Sequence, residues 1–317
     1  MFIKKELPEL MEKATVEKGE NWMHSGGHNA LIGKMMRGDG EYYICASNDM
    51  WYPADFVSGM VAELEKHENR HYGSATCKLM HWDFERAEAG EPEASAGGHD
   101  EPNGELSSSK TNIIDSCGIT LTRGHHFFEL GQGEEDKGQY DGKKEIFGSS
   151  GALAVYRKSA LNAVAYQNPE GKKEYFDELL HYKNDVDMSY RLRWAGQKCL
   201  LIPKVKVWHD RQAGNLHRDA FLLRILKARK EKSQWIRENS FYGQLVVLKK
   251  NYDARFSFGV RLRTFFYKWA SIKYALAFEP ILIKQLFKIH KDAAKIEDRR
   301  KKMPRSVSPK DIESFMQ

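Results

Sequence analysis

Three places in this 317-residue chain carry side chains that can do chemistry. Asp49 ends a short apolar run, Tyr42-Tyr43-Ile44-Cys45-Ala46, with Asn48 just before it. A carboxylate fixed at a strand end can bind a hard divalent cation through oxygen. It is also an ordinary turn or capping residue, because turns favour Asn and Asp. Asp185 and Asp187 open a helical pattern that runs on through Met188 to Ala195. Two acids this close can serve as a general base and its neighbour. The alternative is helix N-terminal capping together with a pair to Arg191, four residues on. His209 follows a strand-like run beside Trp208 and can offer an imidazole to the same cation. A single His at a strand end is as readily a packing residue. Their joint order carries more than any one of them: strand-Asp, Gly-rich turn with strand, acid pair on a helix, strand-His.

The elements that must position these groups read as α/β. The run 42–46 is short and unalternating, which suits a strand buried on both faces of a parallel sheet. Pro53 fits a first helical position, and Phe56, Val57, Met60, Val61 and Leu64 form one apolar stripe. Strand, loop, helix is the α/β pattern, and ligands of such folds lie at the carboxyl edge of the sheet. Gly148-Ser149-Ser150-Gly151 is a turn feeding the strand Ala152–Arg157, with a helix expected near Ser159. Asn184 can cap the helix that follows, and Gly196 can end it. Two strand pieces come next, Cys199–Pro203 and Val205–His209. Residues 85–110 are rich in Gly, Pro, Ser and acid and predict a mobile acidic surface loop.

Composition limits the remaining choices. The chain is 41% hydrophobic, enough for a sizeable core. Cys45, Cys77, Cys117 and Cys199 stand far apart, so their spacing predicts reduced thiols and no structural zinc site. The first 20 residues have no apolar core of a signal peptide, and no uninterrupted apolar run reaches membrane-spanning length. Net charge is uneven: −8 over residues 1–211 and +14 over 212–317. That split predicts two regions with different partners, divided near 211. Residues 212–317 place Lys and Arg among Trp235, Phe241, Phe265, Phe266, Trp269 and Phe287 at helical spacing. This suits an interface-lying helix on an anionic membrane, or a helical appendage with a solvated basic face. No nucleic-acid motif accompanies the charge, so nucleic acid is not an expected partner.

Beyond single residues, nine segments over 21–211 resemble, in order, family 2 glycosyltransferases of the GT-A fold, most closely their bacterial rhamnosyltransferase-like branch. Asn21 to Asn29 resembles N-x-G-x-x-x-G-x-N, with His24 where Gly is usual. Ser47-Asn48-Asp49 resembles the strand-terminal N-x-D, and Ile114-Asp115-Ser116-Cys117-Gly118 resembles I-D-S-x-G. The loop from Gly131 to Asp141 resembles G-x-G-x-x-D-x-G-x-Y-D, and Gly151 to Arg157 resembles G-A-x-x-x-Y-R. Phe176-Asp177-Glu178 and Tyr182 to Asp187 resemble F-D-E…Y-x-E-D-V-D, with Asn184 in place of Glu. Arg191-Leu192-Arg193 with Gly196, then Pro203 and Val207-Trp208-His209, close the series.

The resemblance implies a GT-A-type (Rossmann-like) mixed central sheet flanked by helices over 1–211, followed by a basic helical region over 212–317. It implies an inverting transfer of a sugar from a nucleotide-diphosphate donor, typically dTDP-rhamnose, to a glycan or polyprenyl-linked acceptor of the cell surface. Asp49 and His209 would hold Mg²⁺ or Mn²⁺, and Asp185 would be the general base. Asn29, Asn48, Gly151, Asp187 and Arg191 would contact donor or acceptor. Members of the family begin with a strand-turn-strand nucleotide-base half that has no counterpart in the 20 residues before Asn21. The expectation is therefore a chain lacking that portion, with a non-catalytic glycan- or membrane-binding remnant as the alternative. The expected place is the cytoplasm, peripheral on the inner face of the plasma membrane.

Overall fold

The computed structural model describes residues 20–82, 110–168, 170–210, 229 and 232–317. The expected acidic loop at 85–110, save Lys110, and the boundary near 211 lie outside the described residues. A central sheet joins β1 (Tyr42–Ala46), β2 (Met50–Trp51), β3 (Tyr72–Trp82), β4 (Lys110–Ser116), β7 (Glu145–Ile146), β8 (Leu153–Arg157) and β11 (Lys198–His209). Its order is β1-β8-β3-β11-β2, with β4 beside the far half of β3 and β7 beside the near half of β11. Small two-stranded ribbons are made by β5 (Ile119–Leu121) with β6 (Phe127–Glu129), and by β9 (Tyr166–Gln167) with β10 (Lys173–Glu174).

The sheet is mixed. Among its strand pairs, β3 with β11 is parallel and the others are antiparallel. The expectation of a parallel setting for 42–46 therefore fails: β1 pairs antiparallel with β8, and its residues alternate in burial. The two pieces expected at 199–203 and 205–209 are one strand, whose register against β3 shifts between Ile202 and Lys206, around Pro203. The central strand β3 has no clear sequence signature. Gly73, Ser74, Thr76 and Lys78 interrupt its apolar residues, yet all are buried. Lys78 survives there because its ammonium lies 2.7 Å from both Asp136 and Asp141.

Helices cover both faces. Leu153 and Val155 of β8 face one cluster with α2 (Phe56–Glu65), through Phe56, Met60 and Leu64. Their alternate neighbours Ala154 and Tyr156 face the other, with α1 (Met23–Met35), α3 (Lys158–Val164) and α4 (Asn184–Trp194). Among the described residues, five α-helices follow: α5 (Gln234–Asn251), α6 (Phe258–Phe278), α7 (Ile283–Lys291), α8 (Ala293–Lys302) and α9 (Pro309–Glu313). They share one apolar cluster with the α/β part, in which Val186, Tyr190 and Trp194 of α4 meet Tyr242, Val246, Ile296 and Ile312.

A largely buried ion network ties the same parts together. Lys250 of α5 lies 2.5 Å from Asp177 and 2.7 Å from Asp187 of α4. Asp187 is also paired with Arg191, at 2.9 Å, and Asp177 with Arg299 of α8, at 3.1 Å. Burial by itself raises a carboxyl pKa, but Lys250 and Arg299 overcome it and hold Asp177 below the usual range. A depressed carboxylate contributes stability above its unfolded pKa, about 3.9, and loses it as pH falls through the folded value. Lys250→Met is expected to cost about 3 kcal/mol or more in denaturant unfolding, because it strands buried carboxylates. It is also expected to move acid unfolding to higher pH; an unchanged acid midpoint would contradict this account.

Candidate active site

Strand direction brings the expected groups to one rim. Because β8 runs against β1 and β3, its start lies beside the end of β1, on the side of the sheet toward which β3 and β11 run. The chain leaves β1 at one side of the sheet and enters β2 at the other, beside the end of β11. Ser47, Asn48 and Asp49 therefore cross the carboxyl rim, and the Asp49 carbonyl accepts from the Asp210 amide at 2.9 Å.

This crossing brings Asp49 to His209. Its carboxylate oxygen Oδ1 is 3.5 Å from His209 Nε2. On the other side of the ring, His209 Nδ1 donates to Asp115 Oδ2 at 2.8 Å. Asp115 comes from β4, beyond β3, and is buried. That bond fixes the ring and turns Nε2 toward Asp49, the usual way a carboxylate orients a metal-binding imidazole. One nitrogen and one exposed carboxylate suit a divalent cation with most positions left to water or phosphate oxygen. Asp115 is a residue to which the sequence reading gave no role. Its signal is the one that Asp49 also carries, an acid closing an apolar strand run.

Asp185 sits on the same rim. Its Oδ2 accepts from the Gly151 amide at 3.0 Å and its Oδ1 from the Val186 amide at 2.8 Å. The turn before β8 must lie close on α4 for this. A Cβ on Gly148 would collide with Ser189, and one on Gly151 would come 2.9 Å from Asp185 Oδ2. Lys183, just ahead, has a left-handed backbone with φ of 65°. Burial lowers its amine to about 8, against an opposing pull from Asp185. The carboxylate therefore has two fixed amide donors and retains lone pairs for a proton.

The other expected contacts divide. Asn48 is exposed on the crossing segment and Gly151 lies at the rim beside Asp185. The side chains of Asn29, Asp187 and Arg191, the other expected contacts, are buried and turned to partners within the fold. The Asn29 amide is buried, bonding Phe176 O, Glu178 and the amides of Tyr175 and Phe176. Asp187 and Arg191 are fully buried in the ion network, and Arg191 also donates to the carbonyls of Val164 and Tyr175. Two surface depressions, about 360 and 280 Å³, are lined by other residues.

Comparisons with known proteins give a fold. No family model matches the chain, and no curated protein matches it. Among solved structures it is similar to a crystal structure of GalNAc-T7 with UDP, GalNAc and Mn²⁺, at 10% identity and a TM-score of 0.50. The likeness covers 99% of this chain and 47% of that one, so the chain spans about half its length. The fold is GT-A-like. The expected fold class, a GT-A-type mixed sheet flanked by helices, is therefore borne out, whereas the rhamnosyltransferase-like branch finds no support in the comparisons.

The Asp115–His209 bond can be tested without any sugar. Asp115→Ala is expected to weaken Mn²⁺ binding about 10- to 100-fold, read by isothermal titration, with the fold retained by circular dichroism. Equal affinity would remove Asp115 from the site.

Proposed function

We propose that this chain is an inverting, metal-dependent glycosyltransferase of the family 2 type. The observation that carries the reading is the meeting of Asp49 and His209, 160 residues apart in sequence, at the rim where Gly151 holds Asp185. Asp49 and His209 would hold Mg²⁺ or Mn²⁺, whose chemistry there would be to neutralise the diphosphate leaving group of a nucleotide-sugar donor. Asp185 takes the proton of the acceptor hydroxyl as that oxygen attacks the anomeric carbon. Attack from the face opposite the diphosphate inverts the configuration. Asn48 and the backbone at Gly151 flank donor and acceptor. The likeness to GalNAc-T7, whose crystal structure holds UDP, GalNAc and Mn²⁺, supports a nucleotide-sugar donor of this class.

The acceptor in this reading is a glycan carried on a polyprenyl lipid, and α6 meets the membrane that holds it. Among the described residues no helix is long and apolar enough to cross a membrane. Yet α6 exposes Phe258, Leu262, Phe265, Phe266, Trp269 and Leu276, which fall on one side of a helical projection. Its buried side is another, formed by Val260, Thr264 and Ala275. The helix carries Arg261, Arg263, Lys268 and Lys273 and no acid. Aromatics with flanking cations are the pattern of a helix lying in an anionic interface. Trp235 and Phe287 are exposed too, whereas Phe241, grouped with them on sequence, is buried against Ala275 and Leu282.

Turnover of nucleotide-sugars with Mn²⁺ is expected to fall about 10²- to 10⁴-fold in Asp185→Asn, and to lose its metal dependence in Asp49→Ala. Equal rates in wild type and both variants would end the catalytic reading in favour of a binding protein. Flotation with phosphatidylglycerol vesicles is expected to recover wild type at low salt and much less at high salt. The triple variant F265S/F266S/W269S is expected to lose at least tenfold in partitioning. Binding indifferent to lipid charge, salt and these substitutions would rule out the membrane role.

A further inference from the structure

A second group of ligating atoms lies beside the candidate base, at residues that the proposed reaction does not use. His24 and His28 are one helical turn apart on α1, with ring centroids 4.2 Å apart. Facing them on β1 are Tyr43 and Cys45, two residues apart and so on one side of the strand. His28 Nδ1 is hydrogen-bonded to the Tyr43 hydroxyl at 2.5 Å, which turns Nε2 toward Cys45 Sγ, 3.5 Å away. One ligand atom from each of His24, His28 and Cys45 lies within 4.8 Å of the others.

We propose that His24, His28 and Cys45 form a thiophilic metal site for Zn²⁺, separate from the Asp49–His209 pair. Tetrahedral zinc has Zn–N of about 2.0–2.1 Å and Zn–S of about 2.3 Å, which puts nitrogen and sulfur about 3.5 Å apart. The His28–Cys45 separation already has that value. His24 closes the set from the exposed end of α1, where an ion can enter, and the fourth position is left to water. Both imidazoles would bind the ion in their neutral form. Cys45 enters as the thiol and binds as the thiolate. Its S–H bond breaks as the Zn–S bond forms, and the proton goes to solvent.

The site differs in kind from the one at Asp49. Imidazole and thiolate select zinc, whereas a carboxylate with one imidazole accepts the harder Mg²⁺ or Mn²⁺. It also touches the base helix, since the Asn184 amide lies 2.6 Å from His24 Nδ1 and its Oδ1 accepts from the Asp185 amide. The first contact joins His24 and Asn184, two of the positions, with Ser47, at which the chain departs from the motifs it resembles.

The test uses full-length Asp49→Ala protein, stripped with chelator and titrated with Co²⁺ and then Zn²⁺, so that failure of the transferase reading leaves the result untouched. One equivalent of Co²⁺ is expected to give a thiolate-to-cobalt charge-transfer band that Zn²⁺ abolishes. Adding Cys45→Ser is expected to remove the band. Adding His24→Gln, at an exposed position, is expected to weaken Zn²⁺ at least tenfold with the fold intact by circular dichroism. No band before the second substitution, a band that survives Cys45→Ser, or Zn²⁺ affinity unchanged by His24→Gln would each overturn the proposal.

Discussion

Asp177, Asp187, Arg191 and Lys250 have no exposed side-chain surface, and the placement of α4, which carries Asp185, depends on their being paired. Charges removed from water are tolerated only when opposite charge and hydrogen bonds surround them. The geometry here fixes helix α4 at two levels. Asp187 and Arg191 anchor it to α5 and to the carbonyls of Val164 and Tyr175, two residues and a turn beyond Asp185. The carboxylate that faces Gly151 therefore rides on a helix whose next turn cannot shift without uncovering buried charge. Asn29 does similar work for α1, tying it to the backbone at Tyr175 and Phe176.

This network also changes the meaning of the charge asymmetry. An acidic part of −8 followed by a basic part of +14 suggests two regions with separate partners. In the folded chain the two parts are in some measure each other's partners. Lys250 faces Asp177 and Asp187, and Arg299 faces Glu174 and Asp177. The cations of α6 differ, for Arg261, Arg263 and Lys273 are exposed. The surplus positive charge is thus not spread evenly. Part of it is consumed inside the fold, and part is displayed around the aromatic side of one helix.

What was legible in the sequence follows from what local pattern encodes. Asp49 and His209 could be found because each closes an apolar strand run, and a strand end at the carboxyl edge is a place rather than merely a conformation. The helix ends were legible for the same local reason, as at Gly196, whose φ of 76° ends α4. Strand β3 was not, because Lys78 and the small polar residues around it break the apolar run, and what compensates them comes from Asp136 and Asp141, about 60 residues away. Motif position singles out Asn29, Asp187 and Arg191, but it does not encode their burial. Asp115 stood in a motif without a role, since its partner, His209, lies 94 residues on.

The exposed stripe of α6 follows from a related limit. A helix that is apolar on one side packs that side, and its pattern then predicts the packing. Here the side that packs is thin, just Val260, Thr264 and Ala275, while the bulkier aromatics point outward. Apolar residues on both sides cancel in any measure of amphipathicity, so the helix looks featureless although its two sides have different neighbours. Large aromatics left in water cost free energy in proportion to their area unless something covers them. The inner side of α6 is already bound to a fold that holds Asp185 rigid through α4. A surface that receives the outer side would therefore be oriented relative to the rim as a rigid body, without a flexible tether between them.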